Sequence, residues 1–106
     1  MKILSRAEEI ILLAILQLRD NAYGISIREL IREATGVEWS LAQIYDPLNR
    51  LDHKGFVRKS KGRPMPGRGG RHKCLYTITK EGEEALHELD RMQENLREKL
   101  PKKALS

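Results

Sequence analysis

At Gly55 the apolar residues of this chain stop recurring every three or four positions and begin to alternate. Upstream, Leu41, Ile44, Tyr45, Leu48 and Leu51 lie at helical spacing and give one inward face. Downstream, Cys74, Tyr76 and Ile78 alternate with Lys73, Leu75 and Thr77, the period of a strand. Phe56-Val57-Arg58-Lys59-Ser60-Lys61 reads as a first strand with Phe56 and Val57 at its root. The stretch between the two strands, GRPMPGRGGRHK at 62–73, holds four glycines and two prolines, which set turns. Two strands so joined make a β-hairpin with a long loop. The fold class expected is mainly α with a small β-hairpin (α+β).

Three helices precede the switch, each opened by a residue pattern that satisfies free backbone N–H groups. Ser5-Arg6-Ala7-Glu8 is a capping box, as are Ser26-Ile27-Arg28-Glu29 and Ser40-Leu41-Ala42-Gln43. The first helix, through Ile10–Leu16 and Leu18, is apolar almost all round and must be buried on most faces, in the core or against another chain. Tyr23-Gly24 is a turn, the second helix runs to about Ala34 with Thr35-Gly36 as its stop, and Val37-Glu38-Trp39 is a short extended link. The third helix runs to about Lys54, with Gly55 as its stop and Pro47 expected to kink it.

A last helix follows Thr79, with Ala85, Leu86, Leu89, Met92, Leu96 and Leu100 at helical spacing and Pro101 at its end. About twenty residues give a rod of about 30 Å. Its one narrow apolar stripe reads as an oligomerisation helix rather than one folded back on its own core, since the first helix also has apolar surface to spare. The dimer contacts expected are Ile11 and Ile15 with Leu86, Leu89, Met92, Leu96 and Leu100. Residues 1–79 then form the compact part, 80–101 the dimerisation helix of the same domain, and 102–106 a short tail.

The charge distribution points to a partner. Between His53 and Lys80 there are nine Lys or Arg residues and no Asp or Glu, so the rest of the chain carries 20 − 9 = 11 basic residues against all 15 acids. A segregated basic block is the footprint of a polyanion-binding face. With 40% hydrophobic and 33% charged residues in 106, the chain is one globular domain and not disordered. Its single cysteine, Cys74, excludes an intramolecular disulfide. The Ile10–Leu16 run is too short to span a bilayer and no cleavage site follows it, so a cytoplasmic protein with no membrane partner is expected.

Helix, helix, short strand, helix, hairpin, helix, with the basic block at the end of the third helix and in the hairpin, is the order of a winged helix-turn-helix with an added C-terminal helix. In that architecture the third helix enters the major groove and the wing reaches phosphates or the minor groove.

The residues also resemble a known family, the PadR-like transcriptional regulators. Tyr23-Gly24 is similar to their tyrosine-glycine turn. Ser40, Ile44-Tyr45 and Leu48-x-Arg50-Leu51-Asp52-x-Lys54-Gly55-Phe56-Val57 resemble their recognition-helix signature. Gly69-Gly70-Arg71-x-Lys73-x-x-Tyr76-x-Ile78-Thr79-x-x-Gly82 resembles their wing and the start of their last helix. The resemblance covers about residues 8 to 90. It implies a homodimeric repressor of double-stranded DNA with an inverted-repeat operator, released by a small molecule or cellular signal, dimerising through the last helix together with the first. Two departures stand out. The family's tyrosine is often followed directly by proline, whereas Asp46 here precedes Pro47 and puts an acid on the face that approaches DNA. No Phe, Trp or Tyr occurs from Thr77 to Ser106, so sensing of flat aromatic drugs is not supported.

The DNA contacts expected are Ser40, Gln43, Tyr45, Arg50 and Lys54 from the third helix and Lys61, Arg63, Arg68, Arg71 and Lys73 from the wing. Gln43 has the donor and acceptor to pair with adenine, and Ser40 a donor for phosphate, yet both also form the cap. Capping is favoured for Ser40; for Gln43 the two roles stay open. Tyr45 is either core or a phosphate contact, and Arg50 and Lys54 suit the DNA backbone better than bases. The wing loop is expected to be mobile without DNA and ordered with it. Trp39 is expected to pack against the hairpin and Cys74 to be a small buried strand residue. His72-x-Cys74, His53 and His87 lack the ligand count of a zinc centre, no catalytic triad or carboxylate pair stands out, and the glycines make no Walker loop, so no enzyme, metal or cofactor is expected. Two other functions share the basic face: a winged-helix module docking an acidic protein, and a non-specific nucleoid-type DNA binder.

Overall fold

The computed structural model of the chain describes residues 3–64 and 72–101. Helix α1 spans Arg6–Leu18. Its capping box forms as the sequence dictates: Glu8 N–H donates to Ser5 Oγ at 3.1 Å and Ser5 N–H donates to Glu8 Oε1 at 2.8 Å. Arg19 turns the chain at φ 56°, where only glycine is free of Cβ strain, and leads into a 3₁₀ turn at Arg19–Asn21. Arg19→Gly is therefore expected to raise stability by about 0.5–1 kcal/mol, measured by urea unfolding.

Helix α2 spans Gly24–Thr35, beginning three residues earlier than a Ser26 cap would allow. Ser26 is buried in the first turn instead. Its hydroxyl accepts from Tyr23 N–H at 3.0 Å and donates to the Asn21 carbonyl at 2.6 Å, stapling the preceding turn to the helix, while Glu29 points into solvent. Gly36, at φ 73°, closes α2 with its N–H on the Arg32 carbonyl. The link to the third helix forms no strand; Arg28 holds it by an ion pair with Glu38 at 3.0 Å. Trp39 is half-buried against the core.

Helix α3 spans Leu41–His53 and runs through the buried Pro47. Ile44, Leu48 and Leu51 are fully buried, whereas Leu41, expected inward, is exposed because the first turn projects beyond the core. The helix ends with Phe56 N–H on the Leu51 carbonyl and Gly55 at φ 79°, a left-handed stop that aims the chain straight into the hairpin.

Strands β1 (Val57–Pro64) and β2 (His72–Ile78) pair antiparallel from Val57↔Ile78 to Lys61↔Cys74, with an irregularity before Pro64↔His72. Only the root of this two-stranded sheet meets the core, through Val57 and Tyr76. Tyr76 N–H bonds the Ala22 carbonyl at 2.8 Å and Thr79 Oγ1 bonds the Gly55 carbonyl at 2.7 Å, fixing the wing to the helices. Cys74 lies farther out and is exposed, not buried: the strand has passed the edge of the core before reaching it.

Helix α4 spans Lys80–Glu98, about 28 Å at 1.5 Å per residue. Thr79 caps it, and Gly82 packs so tightly on the Phe56 carbonyl that any Cβ there would overlap it. Leu89 is buried, Leu86 and Met92 are half-buried, and Leu96 and Leu100 are exposed at 68% and 45%. The core itself lies among α1, α2 and α3 around Ile11, Leu12, Ile15, Ile27, Ile44, Leu48 and Leu51. Ile11 and Ile15, expected at a dimer contact, thus serve the protomer's own interior. The apolar residues α1 leaves in solvent are Leu13 and Leu16, which with Leu86 line a groove of about 500 Å³ between α1 and α4.

Candidate nucleic-acid interface

Ile44, Pro47, Leu48 and Leu51 fix which side of α3 is inward. The opposite side is set by the same period: Ala42, Asp46, Asn49 and His53 fall on one exposed strip directly away from the core. Gln43 and Arg50 flank it on one side and Tyr45 on the other. Of this strip, the sequence alone points to Asp46; Ala42 and Asn49 follow once the buried positions fix the helix rotation.

Both halves of the α3 capping box are made. Gln43 N–H donates to Ser40 Oγ at 3.2 Å, and Ser40 N–H donates to Gln43 Oε1 at 2.8 Å. The amide oxygen of Gln43 thus accepts one hydrogen bond in the cap, which ties the side chain back to Ser40. Pairing with adenine uses that oxygen too, so base reading by Gln43 competes with the cap.

Tyr45 is exposed at its edge but tightly seated: its hydroxyl and ring lie against Gly24 so closely that a Cβ there would overlap both. The tyrosine-glycine pair of residues 23 and 24 thus has a packing reason, letting the start of α2 accept the side of α3. Gly24→Ala should force Tyr45 out and cost about 1–3 kcal/mol of stability, with Tyr45→Ala in the same chain relieving part of the loss.

Lys54 is half-buried against the protein, whereas Arg50 stays exposed and reaches toward the Glu8 carboxylate from its edge. The carboxylate of Glu8, only 2% exposed, accepts from Lys54 Nζ at 2.8 Å and lies 3.6 Å from Arg50 Nε. Burial pushes the Glu8 carboxyl up, but the Lys54 hydrogen bond and charge and the Ser5 hydrogen bonds outweigh it and hold its pKa below the ordinary value. The pair ties α1 to α3 across forty-six residues of sequence.

On the wing, Arg58, Lys59, Lys61 and Arg63 are exposed, with Lys59 3.6 Å from Asp52. Lys73 lies over the Tyr23 ring at 4.4 Å and is half-buried. Arg68 and Arg71, with the wing tip and its expected mobility, lie outside the described residues. Among the described residues no group of three or more His, Cys, Asp or Glu side chains is placed to hold a metal, and no helix is long and apolar enough to cross a membrane.

Solved structures of other proteins share this fold. A transcriptional regulator from Streptococcus is 27% identical with a TM-score of 0.69, covering 87% of this chain and 85% of its own. A PadR-like transcription factor from Bacteroides fragilis is 25% identical with a TM-score of 0.71, over 86% of this chain and 82% of its own. A PadR family regulator from Clostridium difficile, at 24% identity and a TM-score of 0.67 over 86% and 91% of the two chains, shares the fold. No curated protein matches the chain. Residues 12–88 match the transcriptional regulator PadR-like family, and with four helices and a two-stranded hairpin in the expected order among the described residues, the chain belongs to that family of DNA-binding regulators.

Proposed function

We propose that this protein is a homodimeric, cytoplasmic repressor that binds an inverted-repeat operator, with α3 in the major groove and the wing on the flanking backbone. The observation that carries the reading is continuity. The solvent strip of α3 ends at His53, and from there to Lys80 every charged residue is basic, exposed on the wing at Arg58, Lys59, Lys61 and Arg63. Such a surface follows a groove and its phosphates; it offers nothing to a basic or apolar partner.

Dimerisation supplies the second half-site. Leu96 and Leu100 extend the α4 stripe beyond the helices it packs on, and Leu13 and Leu16 continue it on α1. A second copy pairing along these helices covers all four. Leu96→Glu with Leu100→Glu is expected to shift the dimer to monomer in sedimentation and to weaken binding to a two-half-site operator by at least about a hundredfold, since linked half-sites reinforce each other. The proposal as a whole is tested by mobility shifts on the DNA upstream of the gene across a salt series. Affinity should fall steeply with salt, because each Lys or Arg on a phosphate releases counterions. Binding that ignores salt, or none at all, would refute it.

A further inference from the structure

The strip of α3 that faces away from the core contains no Lys or Arg, and it contains an acid. Ala42, Asp46 and Asn49 are all exposed, Asp46 belongs to no ion pair among the described residues, and Arg50 beside them leans toward Glu8. A carboxylate on a surface apposed to a polyanion is repelled at every register of that surface. Among the described residues nothing repays this: Asp46 caps no helix and, as the sixth residue of α3, lies past the first turn, where an acid would complement the positive end of the helix dipole.

One partner in the major groove does repay it. A carboxylate only accepts hydrogen bonds, and the groove's only donors are the amino groups of cytosine and adenine. The adenine amino group is flanked by the acceptors N7 of its own ring and O4 of thymine, which repel the second carboxylate oxygen. The cytosine amino group has an apolar C5–H on one side, so cytosine is the better fit. We propose that Asp46 is a specificity-determining residue that reads one cytosine in each operator half-site and penalises DNA lacking it there. The inference rests on the DNA-binding reading of α3 given above. Asn49, about 4.5 Å farther along the helix axis, stands one to two base-pair steps away with the donor and acceptor suited to adenine, and Ala42, about 6 Å the other way, suits a thymine methyl.

The test is selection of binding sites from a randomised duplex pool by the full chain, alongside D46A, D46N and N49A, with melting curves as a check on folding. The wild type should select a palindrome with a fixed cytosine in each half. D46A should keep that palindrome but lose the cytosine preference at its one position, by about five- to a hundredfold in relative affinity, while N49A loses preference at a neighbouring position only. D46A should also bind scrambled DNA several-fold more tightly than the wild type, and D46N should shift the preferred base toward adenine. A wild-type palindrome whose profile D46A leaves unchanged at every position overturns the Asp46 assignment and leaves DNA binding standing. A wild type that selects no sequence overturns the parent reading and this one with it.

Discussion

Replacing Lys54 by methionine is expected to destabilise the fold by about 3 kcal/mol at pH 7, although the residue lies at the end of a helix and keeps part of its surface in water. The reason is the group it leaves behind. Glu8 is buried at the junction of α1 and α3 and receives hydrogen bonds from Ser5 and Lys54, with Arg50 more distant at 3.6 Å and half-exposed. Without the ammonium, an ionised carboxylate stays in a nearly dry site with one backbone donor, and removing one partner of a buried pair costs about 3–5 kcal/mol, less here for the exposure of Lys54. The pH dependence separates charge from packing. In the natural chain Glu8 ionises more readily folded than unfolded, so its contribution is complete above the ordinary carboxylate pKa and fades as pH falls through the lowered folded value. In the variant, burial acts without its main opposing charge and raises the folded pKa, so the deficit is greatest at neutral pH and shrinks as the carboxyl protonates below about pH 4. Urea unfolding at both pH values reads this directly. An equal loss at both would mean that the Lys54 stem, not its charge, carries the effect.

The second large effect concerns affinity. Lys61→Ala with Arg63→Ala should leave the melting temperature nearly unchanged, since both side chains are exposed on the outer half of the wing. Binding to the operator should fall by roughly a hundred- to a thousandfold at physiological salt, and the slope of log affinity against log salt should become shallower by about three to four. The slope follows from two lost phosphate contacts in each of two protomers at about 0.9 each. Preference among sequences should survive, because phosphate contacts position the protein without reading bases. Loss of affinity with an unaltered slope would place these two residues off the backbone.

The sequence revealed the fold more fully than the site. Capping boxes at Ser5 and Ser40, the glycine stops at 36 and 55 and the change of period at Gly55 are local signals, and each lies where the sequence reading puts it. The misreadings arise where local signals are ambiguous or contacts are remote. Helix α1 is apolar on nearly every side, so its periodicity cannot say that Ile11 and Ile15 turn inward and Leu13 and Leu16 outward. Ser26 fits a cap by pattern, but it lies inside the first turn of α2, where its hydroxyl reaches back to the Asn21 carbonyl. Cysteine is usually buried, yet Cys74 sits on a strand that has outrun the core. The bond between Glu8 and Lys54, and the seat of Tyr45 on Gly24, join segments far apart in sequence, and no window of neighbouring residues contains both ends. The place of Asn49 is hidden in the sequence for a related reason: only the burial of Ile44, Pro47, Leu48 and Leu51 fixes which side of α3 faces solvent.

Footprinting of the purified protein on the DNA upstream of its own gene tests the central claim most directly. A dimer with one recognition helix per protomer should protect two inverted half-sites whose centres lie about one helical turn apart, or a small multiple of that. Protection should disappear together at both half-sites as salt is raised and in the Leu96→Glu, Leu100→Glu chain. Uniform protection without a boundary, or a single half-site protected equally by the natural chain and that variant, would contradict the account.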